Sequence, residues 1–589
     1  MNRELEIKAS EPRFAAWLME PMRRNRPVYM KVALAAVLIN IFGLLTSLYT
    51  MTVYDRVIPN NATSSLVALS IGLAIVIIFD FVLKLLRAYF VDIAGASIDR
   101  EVGETLFERL LRLRLDLKKG STGSLTGLMR ELEQLRDFFT SATLTAVVDL
   151  PFIILTIAVI WIIGGWVALV PAIMVPLVII VGALTQPAMD RLSAKAMGEG
   201  MAKQSVLVET IGGLETVKAA GAGPLLARRW DKAMENHADS SLRQRLIASI
   251  GITTATSAGT ISYAGVVIVG VGMIANQTLT MGGLIACSIL AGRAVAPLAQ
   301  ISQLLSRMTS TRTAYRQLNE MMNLPPEGPE GEGLKLAGLK GRIEFRNVSF
   351  RYPGAPEKTL EGLNFTIQPG EHVALLGRVG SGKSTIARLI LGLYPPEEGL
   401  VMLDGTDIRQ LDPLEMRRYI GAALQESVLL TGSVRENIGL ARDHVDDEEL
   451  LRAAGVSGTH QFMGAIANGY DLRLADRGEG LSGGQRQSIA LARALAGQPP
   501  ILLFDEPTSA MDSQTETGLI QRLQEETKGR TLVLITHRPP LLALVSRIML
   551  IDRGKVVADG PRDEVLAKLR NGPTKPAQPE PFKKANAAF

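Results

Sequence analysis

The first half of the chain carries apolar runs long enough to cross a bilayer, and no other feature restricts its fold so strongly. About 20 residues of α-helix span a hydrocarbon core. Runs of that order lie near 29–52, 65–90, 143–163, 165–185, 246–275 and 280–306. Of the 589 residues 47% are hydrophobic, yet 21% are charged, too many for a chain buried in lipid throughout. A composite is therefore expected, part membrane and part water-soluble. The single cysteine, Cys287, lies in an apolar stretch, which excludes intramolecular disulfides and CxxC metal sites. The opening residues MNRELEIKASEPRF lack the charged-then-apolar pattern of a cleaved signal peptide.

Spans three and four meet at Gly164-Gly165, which leaves room only for a tight turn. Segments 53–64 and 276–281 are also expected to be short loops, and they carry little positive charge. By contrast, Arg23, Arg24 and Arg26 precede the first span. Arg100, Arg109, Arg112, Arg114, Lys118 and Lys119 follow the second, and Lys195, Lys203, Lys218, Arg228 and Arg229 lie between the fourth and fifth. Lysine and arginine concentrate on the cytoplasmic side of membrane proteins. Both chain ends are then cytoplasmic, which requires an even number of crossings, and six satisfies it. The net charge of +5 reflects this topology, and nucleic acid is not an expected partner.

The connections 91–142 and 186–245 are too long to be turns. They keep helical periodicity, as in GETLFERLLRLRLDL, and break at Gly120 and Gly123 in one, Gly212 and Gly213 in the other. Ordinary fraying into loops is one reading. Two excursions in matching positions favour the other, in which each span continues into the cytoplasm and reverses through a short helix that docks on the soluble domain. Ahead of the first span, residues 1–28 are either a disordered leader or, around PRFAAWLMEPMRR, an interfacial helix. The expected organisation is an all-α six-helix transmembrane domain (29–318) and a Pro/Gly/Glu-rich linker (319–337). Strand–helix alternation typical of α/β folds follows (338–570), then a Pro/Lys-rich, disordered tail (571–589).

Within the α/β part, Gly377-Arg-Val-Gly380-Ser381-Gly382-Lys383-Ser384-Thr385 follows the apolar run HVALL and precedes TIARLILGL. This is a phosphate-binding loop in the setting its chemistry needs, a strand before it and a helix after it. Glycines let backbone N–H groups turn toward phosphate, and the helix N-terminus adds partial positive charge. Lys383 is placed for the β- and γ-phosphates and the Ser384 hydroxyl for Mg²⁺. A second apolar strand, ILLF, delivers Asp505 and Glu506 to the same sheet edge. Asp505 is expected to hold Mg²⁺ through its hydration shell. Glu506 is expected to orient and deprotonate the attacking water, the positioning task central to phosphoryl transfer.

Between these lies Leu481-Ser482-Gly483-Gly484-Gln485. Together with the phosphate loop, FDEPTSAMD and ITHR, it resembles the ATP-binding cassette (ABC) transporter superfamily, over the whole of 338–570. The resemblance implies an α/β P-loop cassette fused to an exporter-type membrane domain, with ATP and Mg²⁺ as cofactors. It implies that Tyr352 stacks on adenine and that Gln425 contacts Mg²⁺ and relays nucleotide state. It also implies that Asp512 communicates across a dimer and that His537 contacts the γ-phosphate. In this superfamily the LSGGQ loop of one cassette completes the ATP site of another, so Ser482, Gly483, Gly484 and Gln485 are expected to serve a second copy, most simply in a homodimer. Ala475-Asp476-Arg477-Gly478 stands where exporters usually carry a Gly-Glu pair; the acid is kept with one methylene less.

In the membrane half, MTVYDRVIPNNATSSLVALSIG, RDFFTSATLTAVVDLPF and GLETVKAAGAG resemble the type I secretion ATPases. That family implies export of an unfolded polypeptide with an uncleaved C-terminal signal across a bacterial inner membrane. A periplasmic adaptor and an outer-membrane channel are its partners, and membrane lipid surrounds it. Only about 28 residues precede the first span, too few for the peptidase-like domain that some members carry there. Asp80, Lys84, Asp149 and Arg293 lie within spans, where charge is costly, and are candidates for the transport path. Asp80 and Lys84, one helical turn apart, could equally be a simple pair. An ABC lipid or drug exporter is the alternative that shares both the cassette and the six-helix plan.

Overall fold

The protein, a computed structural model, is described over residues 15–117, 148–329, 331, 333–334, 338–440, 442, 445–466 and 468–571, with some side chains between 299 and 310 excepted. The readings made at Lys118, Lys119, Gly120, Gly123 and the start of the third span lie outside the described residues, as do those on the first 14 residues and on the tail beyond 571. The chain divides into two units, one built from residues up to 111 and 119–324, the other from 112–118 and everything after 324.

The first unit is helical: α1 (Ala16–Arg24), α2 (Arg26–Thr52), α3 (Thr63–Leu111), α4 (Pro151–Gly164), α5 (Leu169–Gly212), α6 (Leu214–Ala219), α7 (Gly223–Ala275) and α8 (Met281–Met322). The stretches Arg26–Val57, Thr63–Leu111, Pro151–Gly212, Gly223–Ala275 and Met281–Leu298 are long and apolar enough to cross a membrane. Pro151–Gly212 contributes two crossings. Gly165 adopts φ 54°, a left-handed value that glycine takes without strain, and starts the 3₁₀ turn Gly165–Ala168. Ile160 of α4 packs with Val167 and Ala168 beside the turn, and Ile153 packs with Val178 farther along. The two helices therefore run antiparallel, and the described helices make six crossings.

Several spans outlast the membrane. α3 has 49 residues, α5 has 44 and α7 has 53. At 1.5 Å per residue these are about 65–80 Å long, against about 30 Å of hydrocarbon. The second excursion is thus continuous helix on both sides, reversing at Gly213 through the six-residue α6. α8 likewise continues to Met322, into the stretch read as linker.

Two local features depart from the sequence reading. Segment 53–64 does not begin as a loop: α2 runs on through a π-helical turn, Val53–Val57. That turn aims the Asp55 carboxylate at the start of α8, where it accepts from Gly282 N (2.8 Å) and the Thr280 hydroxyl (2.6 Å). Thr280 in turn caps α8 by accepting from Gly283 N. A Cβ at Gly282 would lie 2.4 Å from Met51 O, so only glycine allows the approach. The second feature is α1, which is neither a disordered leader nor a helix whose apolar side is left to lipid. Leu18 is buried against Ile98, Val102, Leu106, Leu318 and Met321. Trp17 stacks on Tyr315 with ring centroids 5.8 Å apart and donates to Asn319 Oδ1 (3.2 Å).

The second unit is α/β. Its strands are β1 (Ile343–Phe350), β2 (Leu360–Ile367), β3 (His372–Leu376), β4 (Glu398–Leu403), β5 (Thr406–Asp407), β6 (Ile420–Ala423), β7 (Gly432–Ser433), β8 (Arg473–Leu474), β9 (Ile501–Asp505), β10 (Thr531–Ile535), β11 (Arg547–Asp552) and β12 (Lys555–Pro561). The principal sheet has the order β12-β11-β3-β10-β9-β6, and an antiparallel sheet has the order β2-β1-β4-β5. β11, β3, β10, β9 and β6 are mutually parallel. A parallel sheet is covered on both faces, which is why its strands read as unbroken apolar runs. Side chains alternate between faces. Val373, Leu375, Ile501, Leu503, Val533 and Ile535 enter one core, while Ala374, Leu502, Phe504, Leu532 and Leu534 enter the other.

Candidate functional site

In a parallel sheet the chain leaves every strand at the same edge, and ligands bind there. Ile535 of β10 is in register with Leu375 of β3 and with Asp505 of β9, and Ala423 of β6 with Phe504 of β9. One edge therefore collects the loop after β3, the Asp505-Glu506 pair, His537 two residues past β10, and Gln425 two residues past β6. Gln425 is exposed.

The loop after β3 closes on α9 (Lys383–Ile390). Gly380 and Gly382 take φ values of 81° and 101°. A Cβ on Gly377 would lie 2.0 Å from Ile551 O, and one on Gly382 would lie 2.5 Å from the Leu360 side chain. The loop can take this path only because these positions are glycine. Its backbone then leads Ser381, Lys383, Ser384 and Thr385 into the first turn of α9. The Lys383 ammonium is held by two carbonyls, Gly377 O and Arg378 O, both at 2.8 Å.

Asp505 and Glu506 face this lysine. Burial holds Asp505 above the usual carboxylate range, with the neighbouring Ser384 hydroxyl and Lys383 pulling it down. Burial, then the Asp505 charge, raise Glu506, while His537 and Lys383 oppose them. The same desolvation lowers Lys383, countered by the two carboxylates. Asp505 Oδ1, Glu506 Oε1 and Ser381 Oγ are buried without a hydrogen-bond partner among the described residues. Buried polar atoms are rarely left so. Two carboxylate oxygens and a hydroxyl beside a lysine and a helix N-terminus are the donor set that a magnesium–phosphate group fits.

Glu506 is held in place by its backbone. It takes φ 51°, a strained value for a residue other than glycine. Its N–H donates to Ile535 O (2.9 Å) and its C=O accepts from Gln487 Nε2 (2.7 Å). Gln487 also accepts from Ala510 N, and Arg538 donates to Ser509 O and Met511 O. Gln487 and Arg538 thus brace the turn that aims Glu506, and sequence reasoning missed both. Gln487 falls on the helix that LSGGQ begins, four residues after Gly483, the only hint in the sequence. His537 Nε2 lies 3.8 Å from Glu506 Oε1.

Tyr352 borders the loop. Its hydroxyl meets Thr385 Oγ1 at 3.1 Å and accepts from Arg388 (2.8 Å), and its ring packs edge-on against Phe350 and Tyr394.

The LSGGQ residues make a different structure. Ser482 caps α10 (Gly483–Leu495) in a capping box: its hydroxyl accepts from Gln485 N (3.2 Å), and Gln485 Oε1 accepts from Ser482 N (2.8 Å). Gly483 and Gly484 pack closely on Ala510, where a Cβ would come within 3.3 Å and 3.0 Å. Asp512 caps α11 (Ser513–Glu526), accepting from Gln514 N and Thr515 N. Hydrogen bonds from Thr515 hold it below the usual carboxylate range.

Comparison with known proteins gives the family. Residues 29–297 match the ABC transporter transmembrane region and residues 360–509 the ABC transporter family. The toxin RTX-I translocation ATP-binding protein of Actinobacillus pleuropneumoniae is 34% identical over 94% of this chain and 78% of its own length. The leukotoxin translocation ATP-binding protein of Mannheimia haemolytica is 35% identical over 93% and 78%. The solved structure of a bacterial Atm1-family ABC exporter with ATP bound superposes with a TM-score of 0.82, over 92% of this chain and 97% of that one. At 24% identity it shows the fold alone. This chain belongs to the ABC transporter superfamily, as an ATP-hydrolysing exporter of the type I secretion family.

Proposed function

We propose that the chain exports an unfolded polypeptide across a bacterial inner membrane, as a homodimer whose cassettes and termini are cytoplasmic. A periplasmic adaptor and an outer-membrane channel complete the route, and the cargo carries a C-terminal signal. The observation that carries this reading is the match to two relatives named for toxin and leukotoxin translocation. It runs through the membrane half as well as the cassette, over 93–94% of the chain. A lipid or drug exporter would need only the cassette and the six-helix plan in common.

In this reading Lys383 and the amides of Gly380–Thr385 bind the β- and γ-phosphates of ATP, and Tyr352 offers its ring to adenine. Ser384, Asp505 and Gln425 are the residues that would hold Mg²⁺. When bound, the ion offsets negative charge on the phosphates. Glu506 orients the attacking water and takes its proton, and His537 points a ring nitrogen toward the γ-phosphate. Ser482, Gly483, Gly484 and Gln485 at the start of α10 face the nucleotide of the second copy. Asp512 reports across the same interface.

The test is secretion. Comparing culture supernatants of the parent strain and a Glu506→Gln strain identifies the exported polypeptide. Fused to a tightly folding domain, that polypeptide is expected to stall. Fused to a destabilised variant of the same domain, it is expected to exit. A polypeptide backbone needs a polar, protein-lined path, and a path between twelve helices is too narrow for a folded domain. Equal export of both fusions would contradict threading. Identical supernatants in the two strains would remove the polypeptide reading altogether.

A further inference from the structure

Between α2, α3, α4 and α8 lies a cavity of about 230 Å³ whose lining, part apolar, includes the charged side chains of Asp80, Lys84, Asp149 and Arg293. Its volume is below that of a small-molecule pocket, which starts at about 300 Å³, and suits a side chain better than a whole ligand. Two of its carboxylates are already engaged. Asp80 accepts from Lys84 at 2.6 Å. Asp149 accepts from Arg87 at 3.3 Å and from Asn40 Nδ2 at 3.1 Å. The sequence offered Asp80 and Lys84 as a simple pair, and they form one. Arg87, which it did not single out, lies one turn beyond Lys84 and supplies the cation for Asp149.

Arg293 is then the third cation against two carboxylates. It is exposed to the cavity, and among the described residues no carboxylate lies within ion-pair distance of it. Room for its guanidinium is made by Gly43, where a Cβ would lie 1.7 Å from Nη1. A guanidinium cannot shed its charge in a protein. An intramembrane arginine without a partner therefore calls for an anion. From Thr52 back to Gly43 is about 14 Å of helix, and from Met281 to Arg293 about 18 Å. Both positions are close to the middle of a hydrocarbon core of about 30 Å, away from the layer where lipid phosphates reside.

We infer that Arg293, in the space that Gly43 leaves open, forms an anion-docking site that takes an acidic side chain of the passing polypeptide. The inference rests on the polypeptide reading above. A planar guanidinium matches a carboxylate in two-point geometry. A single excess positive charge gives the path a preference for acidic segments without a pocket for any one sequence.

The full-length transporter, in nanodiscs of phosphatidylcholine, is tested by stimulation of its ATPase. The probes are a short unstructured peptide rich in Asp and Glu, its Asn/Gln counterpart, both amidated at the C-terminus, and phosphatidylglycerol added to the nanodisc. For Arg293→Gln the half-maximal concentration of the acidic peptide is expected to rise about tenfold, as for loss of one charge-assisted contact. That of the Asn/Gln peptide is expected to stay put, and Arg293→Lys to keep most of the preference. Gly43→Ala, a change favourable to helix formation, displaces the guanidinium and is expected to act like Arg293→Gln. If both peptides stimulate every variant equally, the site is overturned and polypeptide transport stands. If neither peptide stimulates the parent, both readings fall. If only phosphatidylglycerol stimulates, and Arg293→Gln abolishes that, the anion is a lipid phosphate. Loss of the dimer in Arg293→Gln would assign the arginine to a subunit contact instead.

Discussion

Glu506→Gln is expected to lower ATP turnover by about 10²–10⁴-fold, the usual loss when a general base is removed. ATP affinity is expected to change little, because the phosphate contacts are proposed to come from Lys383 and the loop amides. Phosphate release at saturating ATP, beside equilibrium nucleotide binding, measures both, and ATP is expected to trap a closed dimer. The electrostatics add two further readouts. Glu506 works only when ionised, and burial raises it above the usual carboxylate range. The acid limb of the parent's kcat/KM profile, which reports the nucleotide-free protein, is therefore displaced toward higher pH, and the glutamine variant has no such limb. In the nucleotide-free protein the raised carboxyl keeps its proton longer in the folded state than in the unfolded one. Stability is then lost as pH rises from the usual carboxylate range through the raised folded value. Glutamine removes that loss, so the variant is expected to melt higher than the parent at neutral pH, with the gap closing in acid. Equal turnover in parent and variant would remove Glu506 from the chemistry.

The second large effect concerns the two halves of each ATP site. Lys383→Ala and Ser482→Arg homodimers are each expected to lose about 10²–10³-fold or more in turnover, as when a fixed donor to a developing charge is removed. In a mixed dimer both lesions fall in one composite site, which leaves the other with an intact Lys383 and an intact Ser482. Recovery toward half the parental rate is expected. Ser482 also caps α10, so its replacement costs about 1 kcal/mol of helix stability, and the mixed dimer is to be checked for assembly first. No recovery in verified heterodimers would count against sites shared between copies.

Much of the candidate site was legible because it is local. The phosphate loop, Asp505-Glu506 and LSGGQ each sit within a short stretch whose flanking strand or helix is visible in the apolar pattern. The parallel sheet showed itself through unbroken runs such as HVALL and ILLF, and the six crossings through span length and the Gly164-Gly165 turn. What escaped depends on distant parts of the chain. The place of α1 is decided by Tyr315, Leu318 and Asn319, some 300 residues away, and an amphipathic helix looks the same whether lipid or protein covers it. The role of Asp55 needed the π-helical turn and the start of α8, 225 residues later. Gln487 and Arg538 act on backbone carbonyls, and no residue pattern announces a carbonyl as a partner.

ATP hydrolysis at this sheet edge is expected to move a polypeptide through the membrane half. Proteoliposomes holding the transporter with its cassettes outward test it directly, using the polypeptide identified from supernatants and kept unfolded. The measured quantity is the fraction of polypeptide that becomes resistant to added protease. That fraction is expected to rise with ATP, not to rise with a non-hydrolysable analogue, and to remain at background for Glu506→Gln. A polypeptide that stays fully digestible while ATP drives labelled lipid between leaflets would contradict polypeptide export and leave a lipid exporter in its place.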